Sequence, residues 1–397
     1  MTKIKIAAII AEFNPLHDGH RYIIKRSREL TGASHILVVL SGNFVQRAEP
    51  AIIDKHRRAE AAILAGADAV IEIPAAFATG NAEVFAKAGV KLAASFPHVN
   101  YLVFGTESKD ISIIRQIAKA QVTKQKEFEH FMTGHLKKGI SFDRARCEVV
   151  KKLLPQIPAA TIERTMTGSN NILGIEYLKE LTRLDCGIVP IGVKRTTAIS
   201  ATECRRQLLL AGPLAVPQFA DCLTPQQYST FGSTVLFALM TRLDKTIYNA
   251  NEELVNLIRN LHPTSYRQLK EQAPTKRFSV SRIVRLALHS ALQVTKKDVE
   301  HLYRNEWLPY TNLLAIRANA DSLFSALATS SRTPLIVRGN KVKPKPGPYL
   351  RALQKIDGRA NLLYEAISGE KVSTRPVFVL REHYEGVETF AGGNDGD

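Results

Sequence analysis

Two histidines near the N-terminus are the first residues in the chain whose type and spacing could do chemistry. His17 and His20 are three residues apart in the segment FNPLHDGH, which follows a short apolar run. Asn14 and Pro15 predict a turn after that run, and Gly19 allows the backbone to approach a ligand closely. A helix is predicted to begin directly afterwards. The segment therefore places two imidazoles beside a helix N-terminus.

The free N–H groups and the positive end of that helix favour an anionic ligand. His17 and His20 can donate hydrogen bonds to a triphosphate as charge develops on its α-phosphate. This would be catalysis by transition-state stabilisation, without a covalent nucleophile. Two other interpretations stay open. The histidines could be metal ligands, although no Cys, His or acidic partners stand at a known spacing, or they could be buried and hydrogen-bonded.

The elements that must position this loop alternate between apolar runs and helical patterns. Continuous apolar strands separated by helices predict a parallel sheet covered on both faces, and ligands bind at the carboxyl ends of such strands. Asp54 is a candidate N-cap of the second helix. The strands are predicted at 4–10, 35–40, 69–73, 101–104 and 187–193, and the helices at 18–30, 54–65, 81–95, 169–181 and 200–210.

The second half of the 397-residue chain reads as mostly helical, with helices predicted at 226–243, 251–261, 264–272 and 280–292. A chain of this length fits two domains. Gly212 and Pro213 mark the predicted boundary. We therefore predict a Rossmann-like α/β nucleotide-binding domain over 1–211 and a mostly helical basic domain over 212–397.

Charge points to a polyanionic partner. The chain carries a net charge of +17 with a pI near 9.7, which favours capture of polyanions. Residues 254–351 hold 17 Lys or Arg against 5 Asp or Glu, with aromatic residues among them. Basic side chains beside aromatic faces suit RNA, although a solvated basic face stays open as the alternative. The candidate RNA contacts are Lys276, Arg277, Arg282 and Arg285.

Composition excludes several other classes of protein. No stretch approaches the ~18 uninterrupted apolar residues of a membrane span, and the N-terminus lacks the pattern of a secretory signal. The cytoplasm is therefore the predicted location. The four cysteines stand singly, so neither a zinc ribbon nor a disulfide framework is predicted. No metal site is predicted either.

The HDGH sequence and four later segments together resemble a known family of enzymes. HDGH after a strand resembles the HxGH signature of the HIGH-type nucleotidyltransferase superfamily. Taken with that signature, four later segments resemble the bacterial tRNA(Met) cytidine acetate ligase family in both content and order. They are 41–55 (SGNFVQRAEPAIIDK), 66–74 (GADAVIEIP), 104–107 (FGTE) and 169–177 (SNNILGIEY). The resemblance covers the N-terminal α/β half, and a basic helical second half is also typical of the family.

The resemblance implies an activity. Such enzymes activate acetate with ATP, forming acetyl-adenylate and pyrophosphate, and transfer the acetyl group to N4 of the wobble cytidine of elongator tRNA(Met). ATP is then a substrate, accompanied by Mg²⁺, and no tightly bound cofactor is expected. Oligomeric state stays open.

The resemblance also implies site residues. His17 and His20 would be catalytic, and the segment around 200–205 resembles an IS-x-T-x-x-R signature. Asn170 is the alternative to Asn171. The implied ATP-binding residues are Phe13, Asn14, Pro15, His17, Gly19, His20, Gly105, Asn171, Arg195, Ser200, Thr202 and Arg205.

Other positions near the predicted pocket carry weaker expectations. Residues 43–47 (NFVQR) follow the second strand and should form part of the pocket. Lys55 and Arg57 could assist there, or they could be solvated on the surface of a helix. The family usually has Gly where this chain has Ala48, so Ala would strain the loop if that position needs a positive φ. The connection from Arg195 to Ser200 is shorter than the family pattern.

Two other functions stay open at this point. One is a small-molecule adenylyltransferase of the coenzyme-biosynthesis type, which leaves the basic helical half without a task. The other is a non-catalytic RNA-binding protein that has kept a nucleotide fold.

Overall fold

A computed structural model describes residues 4–108, 110–195, 200–211, 222–337 and 347–379. The predicted boundary at Gly212 and Pro213 lies outside the described residues. So do 196–199, which make up the connection that departs from the family pattern.

The strands begin and end close to the predicted runs in the first half. Their bounds are β1 (Ile6–Ala11), β2 (His35–Ser41), β3 (Ala69–Ile73), β4 (Val99–Thr106), β5 (Val189–Lys194), β6 (Thr311–Arg317), β7 (Leu335–Ile336) and β8 (Val377–Val379).

The helices cover most of the remaining chain, and none in the described ranges is long and apolar enough to cross a bilayer. Their bounds are α1 (Asp18–Thr31), α2 (Lys55–Leu64), α3 (Ala75–Ala78), α4 (Ala82–Ala94), α5 (Ser112–Thr123), α6 (Gln125–Lys137), α7 (Phe142–Leu153), α8 (Ala159–Thr167), α9 (Ser169–Leu184), α10 (Ala201–Ala211), α11 (Pro225–Arg242), α12 (Glu252–Leu261), α13 (Tyr266–Gln272), α14 (Val280–Leu292), α15 (Lys296–Arg304), α16 (Asp321–Ser330) and α17 (Pro348–Ser368).

The strands form one sheet in the order β5-β4-β1-β2-β3-β6-β7, with β8 also paired to β6. The five strands of the first half, β1 to β5, are parallel to one another. The chain runs outward from β1 through β2 to β3, then returns to place β4 and β5 on the other side. The strand order therefore reverses between β1 and β4, and this is where such sheets bind ligands.

Strand β2 shows why these runs are continuously apolar. Its side chains alternate between the two faces of the sheet. Ile36, Val38 and Leu40 pack in one buried cluster, whereas Leu37 and Val39 pack in the other. Both faces are covered, so the predicted doubly covered parallel sheet is confirmed.

The helical half contributes three strands that the sequence does not predict, β6, β7 and β8. β6 pairs antiparallel with β3, with Ala69 opposite Ile316 and Val70 opposite Ala315. The second half is mostly helical as predicted, but it completes the sheet of the first half. The division at 211 and 212 stays a prediction.

A buried ion pair lies beside this junction. Lys55 Nζ contacts the Glu72 carboxylate at 2.7 and 2.9 Å, and both side chains are almost fully buried. Asn312 Nδ2 donates to the same carboxylate at 2.8 Å, and Thr311 Oγ1 donates to the Glu72 carbonyl. Lys55 therefore connects two family-like segments to β6, and the prediction that it assists at the nucleotide pocket is wrong.

Arg285 of α14 also joins the two halves. Its Nε donates to the carbonyls of Gln46 at 3.2 Å and Gly80 at 3.1 Å. Its side chain is buried. The predicted RNA contact at Arg285 is therefore corrected, because a guanidinium held under the surface by main-chain carbonyls cannot reach a phosphate.

The loop after β2 contains a left-handed alanine. Ala48 has φ 59° and is fully buried, and its N–H donates to the Val45 carbonyl at 2.8 Å. The position thus has the positive φ under which the sequence predicted strain.

Replacing Ala48 with Gly tests this strain. The left-handed conformation costs a non-glycine residue about 1–2 kcal/mol. Replacement by glycine relieves this cost, but it also removes a buried methyl group and increases the entropy of the unfolded chain. These two destabilising effects together offset roughly the free energy gained from the relief of strain. We expect Ala48→Gly to change the free energy of unfolding by less than about 1 kcal/mol in urea titration.

Ala51 supplies the matched control. It lies in the same loop, is equally buried and does not have a positive φ. Ala51→Gly has no strain to relieve, so it should destabilise by about 1–2 kcal/mol. Equal losses at both positions would contradict the assignment of strain to Ala48.

Candidate active site

A cavity of about 430 Å³ opens at the carboxyl ends of β1, β4 and β5. It lies where the strand order reverses. The N-termini of α1, α9 and α10 contribute to its wall. Ten predicted ATP-binding residues line it: Phe13, Asn14, His17, Gly19, His20, Gly105, Arg195, Ser200, Thr202 and Arg205. Pro15 and Asn171 are not among the lining residues in the described part of the chain.

The two histidines begin helix α1 in a reciprocal arrangement. His17 is the N-cap, and its Nδ1 accepts from Gly19 N–H at 3.1 Å. His20 Nδ1 reaches back and accepts from His17 N–H at 3.3 Å. The rings stack with centroids 3.8 Å apart. This is a capping box built from imidazoles.

The cap determines the tautomer of both rings. A nitrogen that accepts from a backbone N–H carries no proton, so a neutral ring must hold its proton on Nε2. With Nδ1 accepting, the proton of each ring lies on Nε2, and in His20 the Pro15 carbonyl, which raises the pKa of that ring, competes with a ligand for it. This makes the pair a donor set for anionic oxygen, as the sequence predicted for a phosphate site.

Both imidazoles are neutral near pH 7. Burial and the nearby Arg195 guanidinium lower the pKa of His17 from 6.5 to about 4. Burial, His17 and Arg195 hold the pKa of His20 well below its ordinary value, and the Pro15 carbonyl offsets this only in part. A bound anion would oppose the effect of the Arg195 charge on the pKa of both histidines.

The second wall of the cavity is formed where β4 meets α9. A Cβ placed on Gly105 would lie 3.9 Å from Asn170 Oδ1 and 3.9 Å from Arg195 Cγ. The Glu107 carboxylate accepts from the Asn170 side chain at 2.9 Å and from Asn170 and Asn171 N–H. The FGTE and SNN segments therefore hold each other at the cavity wall.

Asn171 has a different position from its neighbour. It is 1% exposed, and its Oδ1 accepts from Thr106 Oγ1 at 2.7 Å and Glu107 N–H at 3.1 Å. Asn170 lines the cavity instead. The predicted nucleotide contact at Asn171 is corrected on this ground: its amide oxygen is used inside the protein.

Helix α10 brings Ser200, Thr202 and Arg205 of the IS-x-T-x-x-R signature to the histidine loop. Ser200 Oγ accepts from Glu203 N–H at 3.2 Å, as expected of a helix cap. Arg205 donates to the Asn14 carbonyl at 2.6 Å and to Thr202 Oγ1 at 3.3 Å. The guanidinium thus ties α10 to the histidine loop at the edge of the cavity.

Of residues 43–47, only Gln46 and Arg47 line the cavity in the described structure. Arg47 is exposed, whereas Asn43 is buried and accepts from Lys55 N–H. The prediction that the whole run forms part of the pocket therefore holds for its last two residues.

The remaining RNA candidates lie on the second half. Lys276 and Arg277 are exposed, and Arg277 contacts the exposed Glu253 at 3.1 Å. Arg282 is half-buried and donates to the Asn249 carbonyl at 3.1 Å. Lys276 and Arg277 are therefore the more accessible of these cations.

The sequence reading missed Glu12 and Tyr177, which also line the cavity. Glu12 directly follows β1, and that place at the carboxyl end of the central strand was an available signal. Within the described ranges, no group of three or more His, Cys, Asp or Glu residues is placed to hold a metal ion.

Known proteins share this architecture. Residues 4–376 match the HIGH Nucleotidyl Transferase family. The crystal structure of Thermotoga maritima TmcAL bound with α-thio ATP superposes with a TM-score of 0.83 at 26% identity, covering 95% of this chain and 100% of that one. The apo form gives a TM-score of 0.84.

Two relatives of similar sequence are both named tRNA(Met) cytidine acetate ligase. The tRNA(Met) cytidine acetate ligase of Acetivibrio thermocellus is 29% identical over 91% of this chain and 94% of its own length. That of Caldanaerobacter subterraneus is 32% identical over 85% of this chain and 89% of its own. The chain therefore belongs to the HIGH nucleotidyltransferases and, within them, to the tRNA(Met) cytidine acetate ligase family.

Proposed function

We propose that the protein activates acetate with ATP and transfers the acetyl group to N4 of the wobble cytidine of elongator tRNA(Met). The observation that carries this proposal is the pair of neutral histidines at the start of α1. Both face a cavity at the strand reversal, in a chain whose relatives are named for this activity. A tRNA substrate implies a cytoplasmic reaction.

In the first step an acetate oxygen attacks the α-phosphorus and pyrophosphate leaves. Such a displacement needs orientation and charge stabilisation more than a protein nucleophile. His17 and His20 donate from Nε2 to the α-phosphate oxygens as charge develops. Arg195, exposed beside both rings, and Arg205 at the edge of the cavity favour the other phosphates.

The nucleoside is held at the β4–α9 wall. Gly105 leaves that wall without a side chain, and Asn170 Oδ1 is available because Glu107 binds only its Nδ2 and N–H. Mg²⁺ enters with the nucleotide as part of the substrate.

The tRNA is bound by the basic second half. Lys276 and Arg277 are exposed there, and the surface pair of Arg277 with Glu253 exchanges readily for a phosphate contact because such pairs are weak. Arg282 lies beside them and contributes charge from its half-buried position.

The direct test is incubation of the protein with ATP, radiolabelled acetate and total tRNA, followed by nucleoside analysis. We expect pyrophosphate release to require acetate, and the label to appear as N4-acetylcytidine. ATP turnover indifferent to acetate and tRNA would refute the proposal. A stable adenylylated metabolite would instead favour a small-molecule adenylyltransferase, and tRNA binding without turnover would favour a non-catalytic RNA-binding protein.

His17→Asn separates the cap from the phosphate donor, because the Asn side chain still accepts from Gly19 N–H. We expect the fold to persist and the rate of acetate-dependent pyrophosphate exchange to fall about 10²–10³-fold. Exchange at the wild-type rate would contradict the role of His17.

The same variant tests the pKa of His17. Between pH 6.5 and about 4 the unfolded chain protonates this group and the folded protein does not. Unfolding therefore takes up protons, and the free energy of unfolding falls as pH is lowered through that window. His20 and His289, whose pKa values are also lowered, contribute to the same fall. Urea titrations should show a smaller fall in His17→Asn than in the wild type.

Asn170→Ala and Asn171→Ala should fail in different ways. Asn170→Ala should raise the KM for ATP with little change in stability. Asn171→Ala leaves the buried Thr106 hydroxyl and Glu107 N–H without their acceptor, so it should destabilise by about 1–3 kcal/mol. Urea unfolding measures the stability of both variants, and ATP titration measures their KM for ATP. A raised KM in Asn171→Ala together with a loss of stability in Asn170→Ala would assign the nucleotide contact to Asn171.

A further inference from the structure

Glu12 is a carboxylate in the cavity for which adenylation has no task. It directly follows β1, between the central strand and the histidine loop. It is the only acidic residue among the described residues that line the cavity. Glu107, near the β4–α9 wall, has both carboxylate oxygens engaged by Asn170 and Asn171.

Glu12 is held at both its main chain and its side chain. Its Oε1 accepts from Gln46 N–H at 2.8 Å, and its carbonyl accepts from the buried Arg58 at 2.5 Å. Oε2 has no hydrogen-bond partner in the described part of the chain. The carboxylate is therefore fixed in orientation with one oxygen left for a ligand.

The two histidines cannot accept a proton from a substrate, as the free oxygen of Glu12 can. In each neutral ring Nδ1 accepts from a backbone N–H and Nε2 carries the proton. Neither ring has a free lone pair for a substrate proton. A reaction in this cavity that must remove a proton therefore depends on another group.

We infer that Glu12 is the general base of the acetyl-transfer step and accepts a proton from the N4 amine of the cytidine. The inference rests on the proposed function. The lone pair of that amine is delocalised into the pyrimidine ring, so proton removal during attack assists it.

The step balances without another reactant. The nitrogen lone pair forms the N–C bond to the acetyl carbon, and the C–O bond to the phosphate breaks. AMP leaves with that electron pair. The amine proton passes to Glu12 Oε2 and then to water.

Charged groups on the surrounding elements set the basicity of Glu12. Burial raises its pKa, whereas the Gln46 hydrogen bond and the Arg205, Arg58 and Arg47 guanidiniums oppose the rise. Burial also raises the pKa of Tyr177, which therefore stays protonated. A carboxylate of raised pKa is a better base than an exposed one.

Glu12→Gln keeps an acceptor for Gln46 N–H and removes the base. Two half-reactions are measured: acetate-dependent exchange of pyrophosphate into ATP, and single-turnover transfer of acetyl to tRNA over a range of pH. We expect exchange to be retained and transfer to fall about 10²–10⁴-fold. The rise of the transfer rate with pH should be lost in Glu12→Gln and kept, at a reduced rate, in Glu12→Asp.

Glu29→Gln is the matched control, because Glu29 lies exposed on α1 and, among the described residues, forms an ion pair only with Arg26 on the same helix. Both half-reactions should be unchanged in it. Equal loss of exchange and transfer in Glu12→Gln, or wild-type transfer, would overturn the inference. If Glu12→Gln does not fold, the Glu12→Asp variant is used in its place, and loss of pyrophosphate exchange in that variant would overturn the inference. Failure of the proposed function has a separate signature, since the wild type would then show no acetate-dependent exchange or no N4-acetylcytidine.

Discussion

Two hydrogen bonds from backbone N–H groups to imidazole nitrogens determine what the cavity can do. They begin helix α1, and by occupying Nδ1 of His17 and His20 they fix both rings as Nε2 donors. The same two bonds satisfy helix-end groups that would otherwise lack partners. One local arrangement therefore supports both the helix and the chemistry. It also leaves the histidines without a free lone pair for a substrate proton. Of the described residues that line the cavity, only Glu12 carries a carboxylate that could accept one.

The parts of the fold that depend on local pattern could be predicted from the sequence. The run HILVVL has to be buried on both faces, so its apolar continuity predicts a central parallel strand, and β2 is one. Asp54 was predicted as an N-cap and accepts from His56 N–H. The HxGH segment led to the cavity because a strand, a turn and a helix N-terminus are adjacent in the chain.

The parts that depend on distant contacts could not be predicted in this way. Asn170 and Asn171 are adjacent, and only the contact with Glu107 and Thr106 decides which of them turns inward. Arg285 reads as a surface cation in a basic stretch, yet two carbonyls from the other half of the chain bury it. Strand β6 is as long as β2, but it lies among helices, where a short apolar run cannot be told from a buried helix segment by its pattern. Its partner β3 is far away in sequence.

The β3–β6 pairing also has a consequence for biogenesis. On a ribosome, the segment that forms β3 emerges long before Thr311–Arg317 exists. Until then β3 is an open edge whose unpaired N–H and C=O groups can template pairing with another chain. The nucleotide half on its own would keep that edge permanently, together with Glu72 deprived of Asn312. The helical half thus acts as an intramolecular shield against aggregation, independently of any contact it makes with RNA.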